Sequence, residues 1–213
     1  MKKYDDILPR YQRMRAACRE MNNTLVMFDK SAVKQAAEEL GLWRDGTISV
    51  YEDALPVLWD HAVHHRFADG PNVVERYAAA HPPAAGTGTE AALMAMSQAF
   101  FSLFHIDRLT KFVGVHVTDI LRDQKYFLAD EGLGTSAVKG MVLASRVLPC
   151  EGFIMTTGAI QFVSGEVLMW ISENLERDGL SPEVLREFPP KGWAQLETSI
   201  IPACLHGDDD TTT

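Results

Sequence analysis

Asp60-His61-Ala62-Val63-His64-His65 is the densest group of side chains in this sequence that could do chemistry. His61 and His65 are four residues apart, so on a helix they share one face, the spacing at which two imidazoles can hold one divalent metal; Asp60 could add an oxygen. A metal held there would polarise a substrate or activate water, the chemistry of a metal-assisted hydrolase. On a helical wheel, however, His65 falls beside Leu58 and Ala62 on the apolar stripe, and the general base of an H-E-x-x-H site is missing. The wheel therefore favours a packed, hydrogen-bonded histidine over a ligand.

A second group is His105, Asp107, His116 and Asp119, where acid–base work would need a histidine held by a carboxylate. His116 alternates with Val115 and Val117 and so points outward. Gly132-Leu133-Gly134-Thr135-Ser136 has neither the lysine of a Walker loop nor the third glycine of a dinucleotide fingerprint, and reads as a plain inter-strand loop. No G-x-S-x-G elbow accompanies the serines. Arg146, set in the apolar segment Val142 to Leu148, calls for a carboxylate partner, with Asp119 or Asp130 in view. Cys18, Cys150 and Cys204 are far apart and form no C-x-x-C pair, so they read as buried or incidental thiols.

These residues sit on two kinds of sequence. Over residues 5–28 the apolar positions recur at helical spacing from Ile7 to Phe28, and Ser31 caps a second helix from Ala32 to Leu40 with Gly41 as its left-handed stop. Asp45-Gly46 makes a turn before a short strand, Thr47 to Tyr51, and Asp53 caps a helix running to about Phe67 with Pro56 in its first turn. Asn72-x-x-Glu75 and Thr87-x-x-Glu90 resemble capping boxes for helices near 73–80 and 90–100. Past residue 100 the grammar becomes short Phe-, Val- and Ile-rich segments: 101–109, 113–121, 126–130, 141–148, 153–157 and 159–163. They predict a small antiparallel sheet or barrel. Ser164 then caps a helix from Gly165 to Arg177, and Ser181-Pro182-Glu183 opens a brief further one.

The expected fold is α+β: a helical unit over 1–100, a β-rich unit over 101–163, C-terminal helices over 164–204 packing back on the core, and a disordered tail over 205–213. With 213 residues and 46% apolar composition the chain is long enough for such a core. Its longest apolar stretch, 91–104, is too short and too interrupted for a membrane span. Acidic residues stand where a signal peptide's apolar region would begin, which points to the cytoplasm. The formal net charge is −9, with 3 cations against 10 anions over 164–213, which disfavours phosphate surfaces, so neither nucleic acid nor membrane is an expected partner. Residues 32–42 resemble the start of a helix-turn-helix, but Asp53 and Asp60 follow on the next helix, poor company for DNA.

Ala37-Glu38-Glu39-Leu40-Gly41-Leu42-Trp43, the run Ala99 to Ile106, Thr118-Asp119-Ile120-Leu121, Leu128-Ala129-Asp130, Gly140-x-x-Leu143-Ala144-Ser145-Arg146-Val147-Leu148 and Met155-Thr156-Thr157-Gly158 together resemble a group of uncharacterised bacterial proteins, over roughly residues 30–165. The resemblance implies helices first and a small β unit second. Some remotely similar proteins carry a cysteine-rich zinc-binding tail of the SEC-C type; here Cys204-Leu205-His206 is all that stands near the end, and two ligands do not complete a tetrahedral site.

With no complete catalytic constellation, the sequence points to a non-catalytic regulatory or protein-interaction module acting on a protein partner or as a homo-oligomer. Phe100, Phe101 and Phe104 are its interface candidates, unless they fill the core where the last helix enters the sheet. The alternative is a metal-assisted hydrolase using His61 and His65. No cofactor other than that divalent metal is implied.

Overall fold

The computed structural model describes Tyr4, residues 6–67 and residues 70–207, and it is α+β. Helix α1 (Ile7–Phe28) buries Tyr11, Cys18, Met21 and Leu25, a single face at helical spacing. The next helix, α2 (Lys30–Glu39), is capped two residues earlier than expected: the Asp29 carboxylate, not Ser31, accepts from the amides of Ser31 and Ala32. A carboxylate satisfies two orphan donors at once and carries charge to the positive end of the helix. Burial opposes that charge, yet hydrogen bonds from Ser31 and Arg76 hold the Asp29 pKa down at about 2. Asp29→Ala is therefore expected to cost about 1 kcal/mol in a urea titration at neutral pH. Because the folded carboxyl is depressed, its contribution is present above the ordinary aspartate range and fades as the pH falls through that range toward 2; an unchanged midpoint at pH 7 would refute the capping role.

Strands β1 (Trp43–Arg44) and β2 (Thr47–Ile48) pair across Asp45-Gly46, whose positive φ values of 51° and 79° make a type I′ turn. The strand is shorter than expected. A 3-10 turn at Glu52–Ala54 precedes α3 (Leu55–His64), so Asp53 sits inside the turn and caps nothing. Helix α4 (Val73–Ala80) opens with a complete capping box between Asn72 and Glu75, and Thr87 caps α5 (Gly88–Ser97).

The β half is a closed five-stranded barrel built from β3 (Phe100–Thr110), β4 (Gly114–Asp119), β5 (Gln124–Ala129), β6 (Val142–Cys150) and β7 (Phe153–Val163), in the order β3-β4-β5-β7-β6. One pair is parallel, β5 with β7, so the expected all-antiparallel sheet is corrected at that seam. The result is a five-stranded Greek-key barrel, the architectural class that includes the OB-fold. Segments 153–157 and 159–163, expected as two strands, are one; Gly158, at φ 112°, lies within it near a register shift against β6. Residues Leu133–Ser136, expected as plain loop, form the short helix α6. Phe104, Ile106, Val115, Val117, Leu128, Leu143, Val147 and Ile154 form the packed interior cluster. Closure leaves the barrel without an edge strand, while the β1–β2 pair remains a separate two-stranded sheet.

Ser164 caps α7 (Gly165–Arg177), Ser181 caps α8 (Pro182–Arg186), and the chain then makes a long helix, α9 (Pro190–His206), to which the sequence reading gave no bounds within its C-terminal helices; Pro189 is its N-cap residue and Pro202 lies inside it. Leu205 and His206 close α9, where the His206 ring contacts the Leu40 carbonyl, while the rest of the expected tail, residues 208–213, lies outside the described residues. Two further apolar clusters join the halves: α1, α4 and α5 pack over one side, and α2, α3, α7, α8 and α9 over the other. Among the described residues no helix is long and apolar enough to cross a membrane.

Candidate functional site

Helix α3 runs between both clusters and is buried over most of its surface, Pro56 and Trp59 excepted: Val57, Leu58, Ala62 and Val63 are covered, but so are Asp60, His61 and His64. Polar groups carried inside with it must find partners there or cost several kcal/mol each.

The partners come from three other elements. His61, with no exposed surface, places Nε2 3.1 Å from Glu39 Oε2 at the end of α2 and Nδ1 3.2 Å from Glu197 Oε1 on α9. His65 stacks on it, ring centroids 4.2 Å apart and planes 22° from parallel, and repeats the pattern at 3.3 Å and 3.7 Å. Carboxylates only accept, so His61 could donate to both neighbours only with a proton on each nitrogen, as imidazolium. Burial works against that charge, but Glu197 and Glu39 outweigh it and hold the His61 pKa above its ordinary value. Arg146, reaching in from β6, bonds Glu197 through Nη2 and Asp60 through Nε at 2.9 Å. Burial would raise the Glu197 carboxyl; Arg146, His61 and His65 keep it well below the usual carboxylate range.

Arg146 is thus partnered, but not as expected. Asp119 is occupied by Ser102, the Leu121 and Arg122 amides and the Arg122 guanidinium, and Asp130 by the Leu133 amide and Thr156. Both lie on the β half with partners of their own, whereas Arg146 reaches across to α3 and α9. Asp60 does not join the histidines as an oxygen ligand, because Arg146 takes it.

The second group of histidines is not brought together. His105 faces Asp107 at 3.0 Å and Asp107 also accepts from Thr118; His116 meets Arg108 and the Tyr4 hydroxyl and lies against Phe127; Asp119 is buried elsewhere. Of the aromatic candidates, Phe104 fills the barrel, Phe101 is buried between barrel and helices, and half-buried Phe100 lies under Arg122. The thiols are poor nucleophiles, since burial pushes Cys18 and Cys204 up to about 12 and Cys150 to about 11.

Beside the buried network opens a cleft of about 260 Å³, lined by His64, Arg66, Asn72, Arg122, Arg146 and Trp193 among others. Arg122 lies 3.8 Å from the Trp193 ring centroid and 4.6 Å from that of Phe100, a guanidinium held between two aromatic faces. At its wall His64 is 5% exposed, and neither of its ring nitrogens makes a hydrogen bond. Burial lowers the His64 pKa to about 4, so the ring is neutral at pH 7.

Glu39 and Glu197 are the residues that sequence reasoning missed. Glu197 had a signal: it falls on the apolar stripe Trp193, Ile200, Ile201 and Cys204, where a carboxylate needs a buried cation. Glu39 had none, since it ends an ordinary acidic pair on a surface helix.

The model of one protein family matches residues 5–172, described as a family of unknown function, DUF7986. No curated protein and no solved structure matches the chain significantly. The matched residues include Glu39, Asp60, His61, His65 and Arg146, whereas Trp193 and Glu197 lie beyond them. As the match covers most of the chain, the protein belongs to the DUF7986 family of unknown function.

Proposed function

We propose that the protein is a non-catalytic regulatory module whose cleft between the barrel and α9 binds a small anionic ligand with a flat apolar part. The observation that carries this reading is the cleft wall, which sets Arg66, Arg122 and Arg146 beside Phe100 and Trp193. Each arginine carries five donors, of which its carboxylate partner uses only some, and planar guanidinium groups match carboxylate or phosphate oxygens. Trp193 and Phe100 supply apolar faces for the rest of the molecule. The volume suits a small ligand rather than a drug-sized one. The alternative of a metal-assisted hydrolase gains nothing from the family match, which carries no activity.

The test is thermal unfolding and calorimetry against benzoate, as a flat carboxylate, and inorganic phosphate. The expected result is a melting temperature that rises with ligand concentration in the natural protein and not in Arg122→Ala or Trp193→Ala. Equal shifts in all three proteins, or none in any, would overturn the cleft as a binding site.

A further inference from the structure

The geometry points to a divalent metal site formed by Glu39, His61 and His65, with Glu197 holding the His61 ring from behind. Among the described residues these three offer ligand atoms that lie within 4.8 Å of one another. The Glu39 oxygen stands 3.1 Å and 3.3 Å from the two Nε2 atoms. Ligands 2.0–2.1 Å from a tetrahedral ion are separated by about 3.3 Å, so the spacing is that of one edge of a zinc site.

The far side of the rings supports the same assignment. A metal-binding histidine donates its other ring nitrogen to a carboxylate or carbonyl, which fixes the ring and its tautomer. Here the His61 Nδ1 makes that contact, 3.2 Å from a Glu197 oxygen that Arg146 in turn anchors, while the His65 Nδ1 stands 3.7 Å from the same oxygen. The charge count agrees. Glu39, Glu197 and Asp60 bring three negative charges against the single positive charge of Arg146, leaving two for a divalent cation to neutralise between neutral imidazoles. Two protons could do this as well, but they would put like charges on rings 4.2 Å apart.

Because the rings stack, an ion shared by both requires one of them to turn about its Cβ–Cγ bond. His65 is free to do so: its Nδ1 makes no hydrogen bond, and it borders the cleft while His61 is sealed. Imidazole nitrogen with carboxylate oxygen suits zinc among the available divalent ions. With His61 inaccessible and held by Glu197, the ion acts as a clamp joining α2 to α3, and through Glu197 to α9, rather than as a catalyst. The site shares His65 and Glu197 with the cleft wall, but the zinc titration and the anion titration read different ligands, so either can fail alone.

The experiment uses the full untagged chain. Metal content is measured after purification without chelator; the protein is then stripped and titrated with zinc alone, and cobalt(II) absorption reports the ligand set. The expected result is one ion per chain, a higher melting temperature with zinc, and a tetrahedral cobalt spectrum. Glu39→Gln, which changes a half-exposed side chain and keeps its shape, should lose the ion while its circular dichroism is unchanged. Glu197→Gln should weaken binding by roughly 10–100-fold, as loss of an orienting partner does. No uptake of zinc by the stripped protein, or equal uptake by Glu39→Gln, would overturn the assignment; in the latter case the ion sits elsewhere.

Discussion

Arg146→Met should lower the folding stability by about 3–5 kcal/mol, the range found when one member of a buried charged set is removed and the rest are left behind. Methionine keeps most of the length and volume, so the loss measures charge more than packing. The guanidinium is 4% exposed and bonds Asp60 and Glu197, themselves 7% and 9% exposed, so without it two carboxylates stay in the interior with no cation between them. The two also come from helices far apart in sequence, α3 and α9, and Arg146 on barrel strand β6 joins them. Urea denaturation followed by circular dichroism gives the loss. Adding Glu197→Gln to Arg146→Met is expected to restore part of it, because one of the abandoned charges is gone. Losses that simply add in the double variant would show that Arg146 acts through packing alone.

The second large effect is expected at Gly114, where β4 begins. A Cβ built there would lie 2.1 Å from the Leu128 carbonyl oxygen and 2.9 Å from the Ala129 Cα, both main-chain atoms of the neighbouring strand that have no rotamer to give way. The residue also has a φ of 156°. Gly114→Ala must therefore push β4 away from β5 or change its backbone, at a cost of about 3 kcal/mol or more. Gly140 is the internal control: its φ is 93°, yet nothing lies within 4 Å of its Cβ position. Gly140→Ala should cost only the backbone strain, about 1–2 kcal/mol. Equal losses at the two positions would sink the close-approach argument. The same approach explains Gly134, whose Cβ would lie 2.7 Å from the Gly114 amide nitrogen: that glycine lets α6 pack on the start of β4.

Local grammar was legible where a residue's neighbours in sequence are also its partners. The capping box of Asn72 and Glu75, the left-handed Gly41, the I′ turn at Asp45-Gly46 and the caps of Thr87 and Ser164 all appear where short-range chemistry puts them. The errors are local as well. Asp29 outcompeted Ser31 because a charged acceptor reached two amides, and Gly158 was read as a break although a barrel strand can pass through a glycine. Helix α9 had no legible bounds: Pro189 is its N-cap residue, Pro190 sits in its first turn, where it is tolerated, and burial of Ile200 and Ile201 outweighs Pro202 inside the helix.

The sequence by itself determined the α+β class, the change of periodicity near residue 100, and that His61 and His65 share a helical face, since each follows from spacing along one element. Only the tertiary structure decided what that face meets. Glu39 is 22 residues before His61, Glu197 is 136 after it, and Arg146 is 86 from Asp60. No local pattern encodes which carboxylate a buried cation will find. That choice is made when the barrel closes, α3 is enclosed between two apolar clusters, and every charge it carries inside must be answered by whatever residue the packing of α2, α9 and β6 brings within reach.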